Sequence, residues 1–445
     1  MVEIGPRSPS SLPGGHAGEA SSSRQSRFAA LRLDRRVYLL GSAGLVRSIG
    51  RSATFVFLPL VFADIYHLSY LDIGALVAAI VPVSTLAFLA GGHLSDRYGR
   101  RPFAVYPSFV SAGLMFLMWI YLEQGVPIVM GLWALNSLFN GLNRPAQSAM
   151  IGDVTHPDLA VTAFGVQRVF TNTGFAISPA VGGFLADVAG LPVLFLFAAI
   201  TSLIEGTVLL LLLRESFAGS KGVAGRSLGS IAAPFRDHAF LGLLGALVGL
   251  AVLMNQFSTP LALFLGSVRS VSFTEFGLIY SLNGALVVLL QLPIGRLIER
   301  RQQYLAWMAA GTIAYGASFL LFDLANAFPL YLVSMGVLTI GEDIVSPTQQ
   351  SLVAGFGGPE RRGAYFGAYN AVTNASRVVA PVIGTLLLGV TPDGPTILWV
   401  GMFMLSVAVA VAFLRMRANA RRRAEEGGAR AVEILRTDAL RSGRD

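Results

Sequence analysis

Residues 91–102 read GGHLSDRYGRRP, a tight charged turn between two long apolar runs. The first run ends at Ala90 and the second begins at Phe103, and each is long enough to cross a bilayer as a helix. Glycines bracket the turn because they lack a Cβ and let the backbone bend sharply. Asp96 is expected to lie at the start of the helix that follows the turn and to cap it with its carboxylate. The arginines in the turn predict a cytoplasmic loop.

The composition is that of a membrane protein. Hydrophobic residues make up 54% of the 445 residues, charged residues make up 13%, and the mean hydropathy is +0.63. These values exclude an ordinary soluble domain and indicate a polytopic membrane protein. The net charge of +8 does not point to nucleic acid, because the basic residues fall in short loops and in the two ends of the chain. Cysteine is absent, which excludes disulfides and thiolate chemistry.

Twelve membrane-spanning helices are predicted from apolar stretches of about 20 residues. The Ser-, Gly- and Pro-rich segment 1–35 is expected to be a disordered cytoplasmic tail without a signal peptide. The expected spans are 38–63, 73–94, 103–122, 128–151, 161–187, 191–213, 238–265, 274–297, 305–322, 329–354, 363–389 and 395–415.

The distribution of arginine and lysine predicts the orientation. Basic residues cluster in alternate connections and in both ends of the chain, whereas the opposite connections hold only Arg269. Because basic loops stay in the cytoplasm, both termini are expected there, in an inner (cytoplasmic) membrane protein with an even number of spans.

The two halves of the chain repeat each other. Residues offset by 202 match without a gap, including Pro145 with Pro347, and Pro179 with Pro381. A parallel repeat of six helices is typical of transporters that hold substrate at the bilayer midplane. We therefore expect a six-helix bundle at 36–215, a Gly- and Ser-rich cytoplasmic linker at 216–236, a second bundle at 237–417 and a basic cytoplasmic tail at 418–445.

The charged turn resembles the signature loop of the major facilitator superfamily, which lies between the second and third helices. The resemblance implies an all-α protein of twelve transmembrane helices in two pseudo-symmetric six-helix bundles. It also implies that Asp153, after the fourth helix, pairs with the loop arginines and latches the cytoplasmic side as a gate. The residues of this gate motif are Gly92, Asp96, Arg97, Gly99, Arg100, Arg101 and Asp153.

The fifth helix contains a second motif, GFAISPAVGG at residues 174–183. It resembles the antiporter motif of drug-exporting members, with Gly174, Pro179, Gly182 and Gly183 in place and Ser178 where glycine is usual. Such members often carry an arginine earlier in the fourth helix, and Trp133 occupies that place here. A proton-coupling arginine would then have to be Arg144, Arg47 or Arg51.

Charged side chains inside the spans are candidate functional residues, because each costs roughly 2.5–3.5 kcal/mol at the bilayer centre. Glu342 and Asp343 are the candidates for proton coupling, with a structural ion pair to Arg377 as the alternative. Arg168 is expected to reach the cytoplasmic surface, and Glu205 has no assigned role. The resemblance implies that the first, fourth, seventh and tenth helices line a cavity, and the candidate substrate residues are Arg47, Arg51, Asn136, Asn140, Asn143, Arg144, Asn255, Gln256 and Arg377.

The function expected is proton-coupled efflux of amphiphilic drugs or metabolites by alternating access. The alternative is a proton symporter or uniporter for a nutrient or anionic metabolite on the same fold. A receptor without transport activity and a membrane enzyme are further alternatives. The histidines form no metal-binding pattern and the chain lacks a P-loop, which argues against metal hydrolysis and ATP-driven pumping. The expected partners are a small-molecule substrate, protons and the lipid bilayer, with no cofactor or metal and a monomeric state.

Overall fold

The computed structural model describes residues 33–156, 159–216, 233–390 and 394–425. Residues 1–32 and 426–445 of the expected tails, and most of the expected linker, lie outside these ranges; residues 418–425, expected to begin the C-terminal tail, belong to the last helix. All of the long elements in the described ranges are helices, which confirms the all-α prediction. We number twelve of them: α1 Arg35–Asp64, α2 Tyr70–Tyr98, α3 Arg100–Tyr121, α4 Val126–Asp153, α5 Ala160–Ala189, α6 Val193–Leu212, α7 His238–Val268, α8 Phe273–Arg301, α9 Tyr304–Leu324, α10 Phe328–Phe356, α11 Ala364–Val390 and α12 Gly394–Glu425.

Eleven of these helices are long and apolar enough to cross a membrane. The twelfth, α4, is 28 residues long but carries the polar residues Asn136, Asn140, Asn143 and Arg144. Helix α7 is irregular. It breaks after Asn255, resumes at Thr259 and ends in a π-helical turn. Helices α10 and α11 are parts of one continuous helix, Phe328–Val390.

Helices α1–α6 pack mainly against one another, and we call them the N half; α7–α12 form the C half. In the N half, α1 contacts α5 and α6, while α4 contacts α2 and α3. In the C half, α9 packs against the α10–α11 segment and α12. The largest contacts between the halves are α5 with α8 and α2 with α11, and α7 also contacts α1 and α2.

The two halves meet most closely at one end, which we call the distal end; the motif end is the other, where residues 91–102 lie. Glycines allow this approach. A Cβ on Gly183 of α5 would lie 2.1 Å from the carbonyl oxygen of Phe273 on α8. A Cβ on Gly277 of α8 would lie 2.1 Å from the carbonyl oxygen of Pro179 on α5. Phe57 of α1 packs edge-on against Phe276 of α8, with ring centroids 4.9 Å apart. The distal end is therefore closed by backbone and aromatic contacts.

Polar contacts reinforce the distal closure. The exposed Asp187, near the end of α5, accepts hydrogen bonds from the backbone N–H groups of Phe273 (3.2 Å) and Thr274 (2.8 Å) at the start of α8. This carboxylate thereby caps a helix of the other half. Ser281 of α8 accepts a hydrogen bond of 2.8 Å from the backbone N–H of Ala180.

Candidate functional site

The motif end holds a charge cluster built around Arg100. Its guanidinium lies 3.2 Å from the Asp96 carboxylate and 2.5 Å from the Asp153 carboxylate. Ser216, just after α6, donates a further hydrogen bond of 3.0 Å to Asp153. The structure therefore brings together the three side chains expected to form the gate. These contacts join α2, α3, α4 and the segment after α6, all of them in the N half.

The expected role of Asp96 as a helix cap is wrong. Asp96 lies in the last turn of α2, and Gly99, with φ of +97°, makes the turn into α3. The cap is Glu215, whose carboxylate accepts from the backbone N–H groups of Arg100 (3.3 Å) and Arg101 (3.0 Å). A carboxylate there satisfies free N–H groups and complements the helix dipole. Sequence offers no local signal for Glu215, because it lies more than 110 residues from the helix that it caps.

The other motif residues have separate surroundings. The Arg101 guanidinium donates to the carbonyl oxygens of Leu210 (2.8 Å) and Leu213 (2.7 Å), as basic side chains do at helix C-termini. Arg97 lies over the ring of Tyr98, 5.3 Å from its centroid. The close contact between α2 and α4 is made at Gly91 rather than Gly92. A Cβ on Gly91 would lie 2.7 Å from the Cα of Leu142, whereas one on Gly92 would meet only Pro145, at 4.0 Å.

The second motif places small residues on two faces of α5. Gly174 and Gly182 face α1, where an added Cβ would lie 2.7 Å from Ser48 and 2.9 Å from Ala53 respectively. Ser178, at the position where glycine is usual, donates to the carbonyl oxygen of Ile49 on α1. Gly183 and the Pro179 carbonyl face α8 instead. The motif thus packs α5 against its own half and closes the distal end.

Arg47 and Glu205 form a buried ion pair. The Arg47 guanidinium lies 3.4 Å from the Glu205 carboxylate, which is 1% exposed, and it also donates to the Asn143 side chain. Gln147 donates a hydrogen bond of 3.2 Å to Glu205. The pair ties α1, α4 and α6 together and gives Glu205 a partner, which the sequence left unassigned. The available signal was the isolation of Glu205 in a helix without another charge, since such a group needs a partner.

Two of the three predicted cavity asparagines on α4 are buried at the contact between α3 and α4. The Asn136 side chain accepts from Ser111 at 2.5 Å. Asn143 donates to the carbonyl oxygen of Ala104 at 2.9 Å. Asn140 donates toward Asn136 and Ser111, although it stays half-buried. The expectation that Asn136 and Asn143 line a cavity is therefore wrong, because their amides satisfy partners on α3 and Arg47.

Arg51, Arg144 and Arg377 form a cationic cluster between the halves. They lie on α1, α4 and α11, each is exposed, and they are close enough for Arg51 and Arg144 to interact electrostatically with each other and with Arg377. Arg51 and Arg377 are near the middle of their helices, so solvent reaches deep into the molecule. Since the distal end is closed, the cavity that holds these side chains opens toward the motif end.

Glu342 and Asp343 lie on the opposite wall, on α10. Glu342 is half-buried and accepts a hydrogen bond of 2.9 Å from Asn283 of α8. Asp343 is 2% exposed, and one of its carboxylate oxygens has no hydrogen-bond partner. The alternative of an ion pair with Arg377 is wrong, because no such pair forms among these described residues. The cation that acts on both carboxylates is Arg168 of α5.

Arg168, which was expected to reach the cytoplasmic surface, also contacts the C half. It is exposed, and its guanidinium lies 2.5 and 3.1 Å from the side-chain oxygen of Gln291 on α8 when that amide is turned toward it. This contact and its electrostatic interaction with Glu342 link α5 to the C half. Its position on α5 gave no indication of which helix it would face, since that depends on the packing of the two halves.

The two candidates on α7 differ in their surroundings. Gln256 is fully buried and donates to the carbonyl oxygens of Val252 and Ala380, both at 3.1 Å, so it holds the break in α7 against α11 and does not line the cavity as expected. Asn255 is half-buried and donates to the carbonyl oxygen of Ala251 at 2.7 Å.

An apolar pocket lies between the halves, at the closed end of the cavity. Its aromatic lining comes from α1, α4, α5, α7 and α8, and the Tyr280 hydroxyl is occupied by a hydrogen bond of 2.8 Å to the carbonyl oxygen of Phe257. Side chains of both halves meet there, as expected for a site at the centre of a transporter. The aromatic residues of this pocket, which we call the aromatic pocket, are Phe55, Trp133, Phe175, Phe257 and Tyr280.

A family model described as "Major Facilitator Superfamily" matches residues 40–381 and 269–443 of the chain. The chain belongs to the Major Facilitator Superfamily. It is accordingly an integral membrane transporter and not an enzyme. No group of His, Cys, Asp and Glu suited to a metal ion occurs in the described part of the chain.

Relatives within the superfamily include two named antiport or resistance proteins. The Na(+), Li(+), K(+)/H(+) antiporter of Planococcus maritimus is 26% identical over 360 residues, which cover 74% of this chain and 84% of that one. Multidrug resistance protein 1 of Bacillus subtilis is 24% identical over 359 residues, which cover 78% of this chain and 88% of that one. Among solved structures, a POT family transporter in complex with 5-aminolevulinic acid has a TM-score of 0.70 at 15% identity, covering 85% of this chain and 95% of that one; at this identity the likeness shows the fold alone.

Proposed function

We propose that the protein exports amphiphilic small molecules by alternating access, coupled to inward proton movement, as a monomer in the cytoplasmic membrane. The motif end faces the cytoplasm in this proposal, because the basic loops lie there. The structure then corresponds to a state that is open inward and sealed outward. Named relatives that confer multidrug resistance or exchange cations for protons support efflux and antiport.

The observation that carries the proposal is the pair of acidic residues on α10. A charged carboxylate is costly where Asp343 lies, buried and with one oxygen unpartnered, whereas a neutral acid is tolerated. Its neighbour Glu342 borders the cavity and hydrogen-bonds across to α8. Protons can therefore reach Asp343 by way of Glu342 when the cavity is open. Rearrangement of Arg168 between the halves would then favour release of the proton.

The test uses proteoliposomes that contain a pH-sensitive dye and three probes with the same phenylbutyl body: 4-phenylbutyrate, 4-phenylbutyramide and 4-phenylbutylamine. Wild-type protein should move protons when at least one probe is added on the side that the binding cavity faces. Glu342→Gln and Asp343→Asn should each abolish proton movement while retaining probe exchange. Glu123→Gln, which removes an exposed acid outside the cavity, is the matched control and should behave as wild type. Proton movement that persists in both α10 variants, or is absent from wild type, would refute the coupling.

The cationic cluster favours a second candidate, uptake of an anionic metabolite with protons. Exposed arginines attract anions whichever way transport runs. An imposed pH gradient distinguishes the two candidates, because antiport drives solute against the direction of proton flow and symport drives it along that direction.

A further inference from the structure

The arrangement of positive charge in the cavity identifies a chemical class of substrate. Five arginines face or border the cavity, and two of them have acidic or amide partners. Arg47 pairs with the buried Glu205, and Arg168 interacts with Glu342, Asp343 and Gln291. The other three, Arg51, Arg144 and Arg377, form no ion pair or side-chain hydrogen bond within the described residues; Glu205 also attracts Arg51 electrostatically, but Arg47 is the arginine that pairs with it.

Gathering three guanidinium groups is unfavourable unless something offsets their repulsion. Arginine stays protonated, so the charges cannot be relieved by loss of a proton. Water in the open cavity weakens the repulsion, but closure of the cavity around a substrate would remove that water and strengthen it. An anion bound among the three would offset the repulsion in the closed state. The guanidinium group also suits this role because it binds carboxylate, sulfonate or phosphate groups with two parallel hydrogen bonds.

The apolar part of the site begins one helical turn away. Phe55 lines the aromatic pocket and lies four residues after Arg51, so the two side chains share a face of α1. Trp133 and Arg144 are both on α4, eleven residues or about three turns apart, with the tryptophan in the pocket and the arginine toward the motif end. The charged and the apolar regions are therefore stacked along the same axis, which leads from the cytoplasmic opening to the outer seal.

We propose that the substrate is an amphiphilic organic anion, with its acidic group held by Arg51, Arg144 and Arg377 and its aromatic or aliphatic body packed against the exposed Phe55 at the mouth of the aromatic pocket. This inference rests on the proposed transport function but not on its proton coupling. It narrows the substrates from amphiphiles in general to those that carry an acid, and it disfavours lipophilic cations. Arg377 has a particular role, because it lies in the C half and binding would draw α11 toward α1 and α4.

Binding of the three phenylbutyl probes to purified protein tests this inference without requiring transport. Dissociation constants come from the concentration dependence of the thermal unfolding midpoint, since a ligand of the folded state stabilises it. Wild-type protein should bind 4-phenylbutyrate at least tenfold more tightly than the amide or the amine. Arg51→Gln, Arg144→Gln and Arg377→Gln should each reduce that preference by roughly fivefold or more. The midpoint without probe reports whether each variant is folded.

Arg422→Gln removes an exposed arginine at the end of α12 and is the matched control, which should keep the wild-type preference. Equal affinity for the three probes, tighter binding of the amine, or no binding of 4-phenylbutyrate by wild type would overturn the inference. So would a preference that survives in all three cavity variants. Proton movement driven by the amine or amide alone would leave the proposed efflux standing while this inference fails. Selective binding of the carboxylate without proton movement would leave the inference standing while the coupling fails.

Discussion

Replacing Gly183 by alanine should open the distal end. A Cβ at this position would lie 2.1 Å from the carbonyl oxygen of Phe273 and 2.8 Å from its carbonyl carbon, and both atoms belong to the backbone of α8. The clash cannot be relieved by a side-chain rotation, so α5 and α8 must separate by about 1 Å. Overpacking of this kind costs roughly 1–3 kcal/mol. Because the contact exists only while the distal end is closed, this cost falls on the closed state and not on a state in which the halves have parted.

The expected shift is large enough to measure. A cost of 1–3 kcal/mol changes the ratio of closed to open molecules by a factor of about 5 to 150. The sequence contains no cysteine, so a pair of introduced cysteines can carry spin labels without background. Leu71 on α2 and Val390 on α11 are exposed distal-end positions in different halves. Double electron–electron resonance should show a longer distance between these two labels in Gly183→Ala than in the parent.

The matched control is Gly165→Ala, on the same helix, where an added Cβ would meet nothing within 4 Å. It should leave the distance distribution unchanged and raise stability slightly, because alanine favours helix more than glycine does. Gly277→Ala makes the reciprocal clash with Pro179 and should act like Gly183→Ala. If Gly183→Ala and Gly277→Ala both keep the parent distance distribution in folded protein, the closed distal end is not held by these contacts and the reasoning fails.

Three further predictions concern the buried ion pair and the motif end. Glu205→Gln should lower the thermal unfolding midpoint of the purified protein, because it leaves the buried Arg47 without its counter-ion, at a cost of roughly 3–5 kcal/mol. Replacing Arg47 and Glu205 together by leucine should lower the midpoint less than Glu205→Gln does. Asp153→Asn should change the rate of probe exchange in proteoliposomes without abolishing binding, and an unchanged rate would contradict its role in the gate. Glu215→Gln should lower the unfolding midpoint modestly, by roughly 0.5–1 kcal/mol of stability, through loss of a charged helix cap. Glu123→Gln, an exposed acid at the far end of α3, should change none of these measurements.

The helices were predictable because their signals are local. Each apolar stretch marks its own span, and Arg35–Asp64 and Phe273–Arg301 extend the stretches expected at 38–63 and 274–297 by only a few residues at either end. The association of Asp96, Arg100 and Asp153 was also predictable, from the family resemblance rather than from local pattern. It required knowledge of where the end of the fourth helix lies relative to the second and third.

Partners of buried polar groups were not predictable in the same way. Glu205 and Asn143 both contact Arg47, but no feature in the sequence of their helices fixes which helix face packs against α1. The internal repeat makes Glu342 equivalent to Asn140, 202 residues earlier, but the hydrogen-bond partner of Glu342 is Asn283. A repeat relates equivalent positions in the two halves, and equivalent positions need not face each other across the interface.

The contacts that close the distal end differ in chemistry from the charge cluster at the open motif end, and this difference bears on how transport could be driven. The distal contacts are mostly glycine against backbone and ring against ring, which lose little polar bonding when they separate. The exceptions are Ser281, which accepts from the backbone N–H of Ala180, and Asp187, whose two hydrogen bonds to α8 can be replaced by water because the carboxylate is exposed. Separation of the seal therefore breaks few polar bonds, and about 5.5 kcal/mol of differential binding inside the cavity is enough to turn a 99:1 ratio of closed to open molecules into 1:99. Binding of an anion among three arginines, or of a proton at an unpartnered carboxyl group, supplies energies of that size.

Anion and proton binding both act at mid-depth, on residues of α1, α4, α10 and α11. Either one therefore alters the attraction between the halves without contacting the residues of the distal seal. This is the physical basis on which substrate and proton could be coupled in this protein.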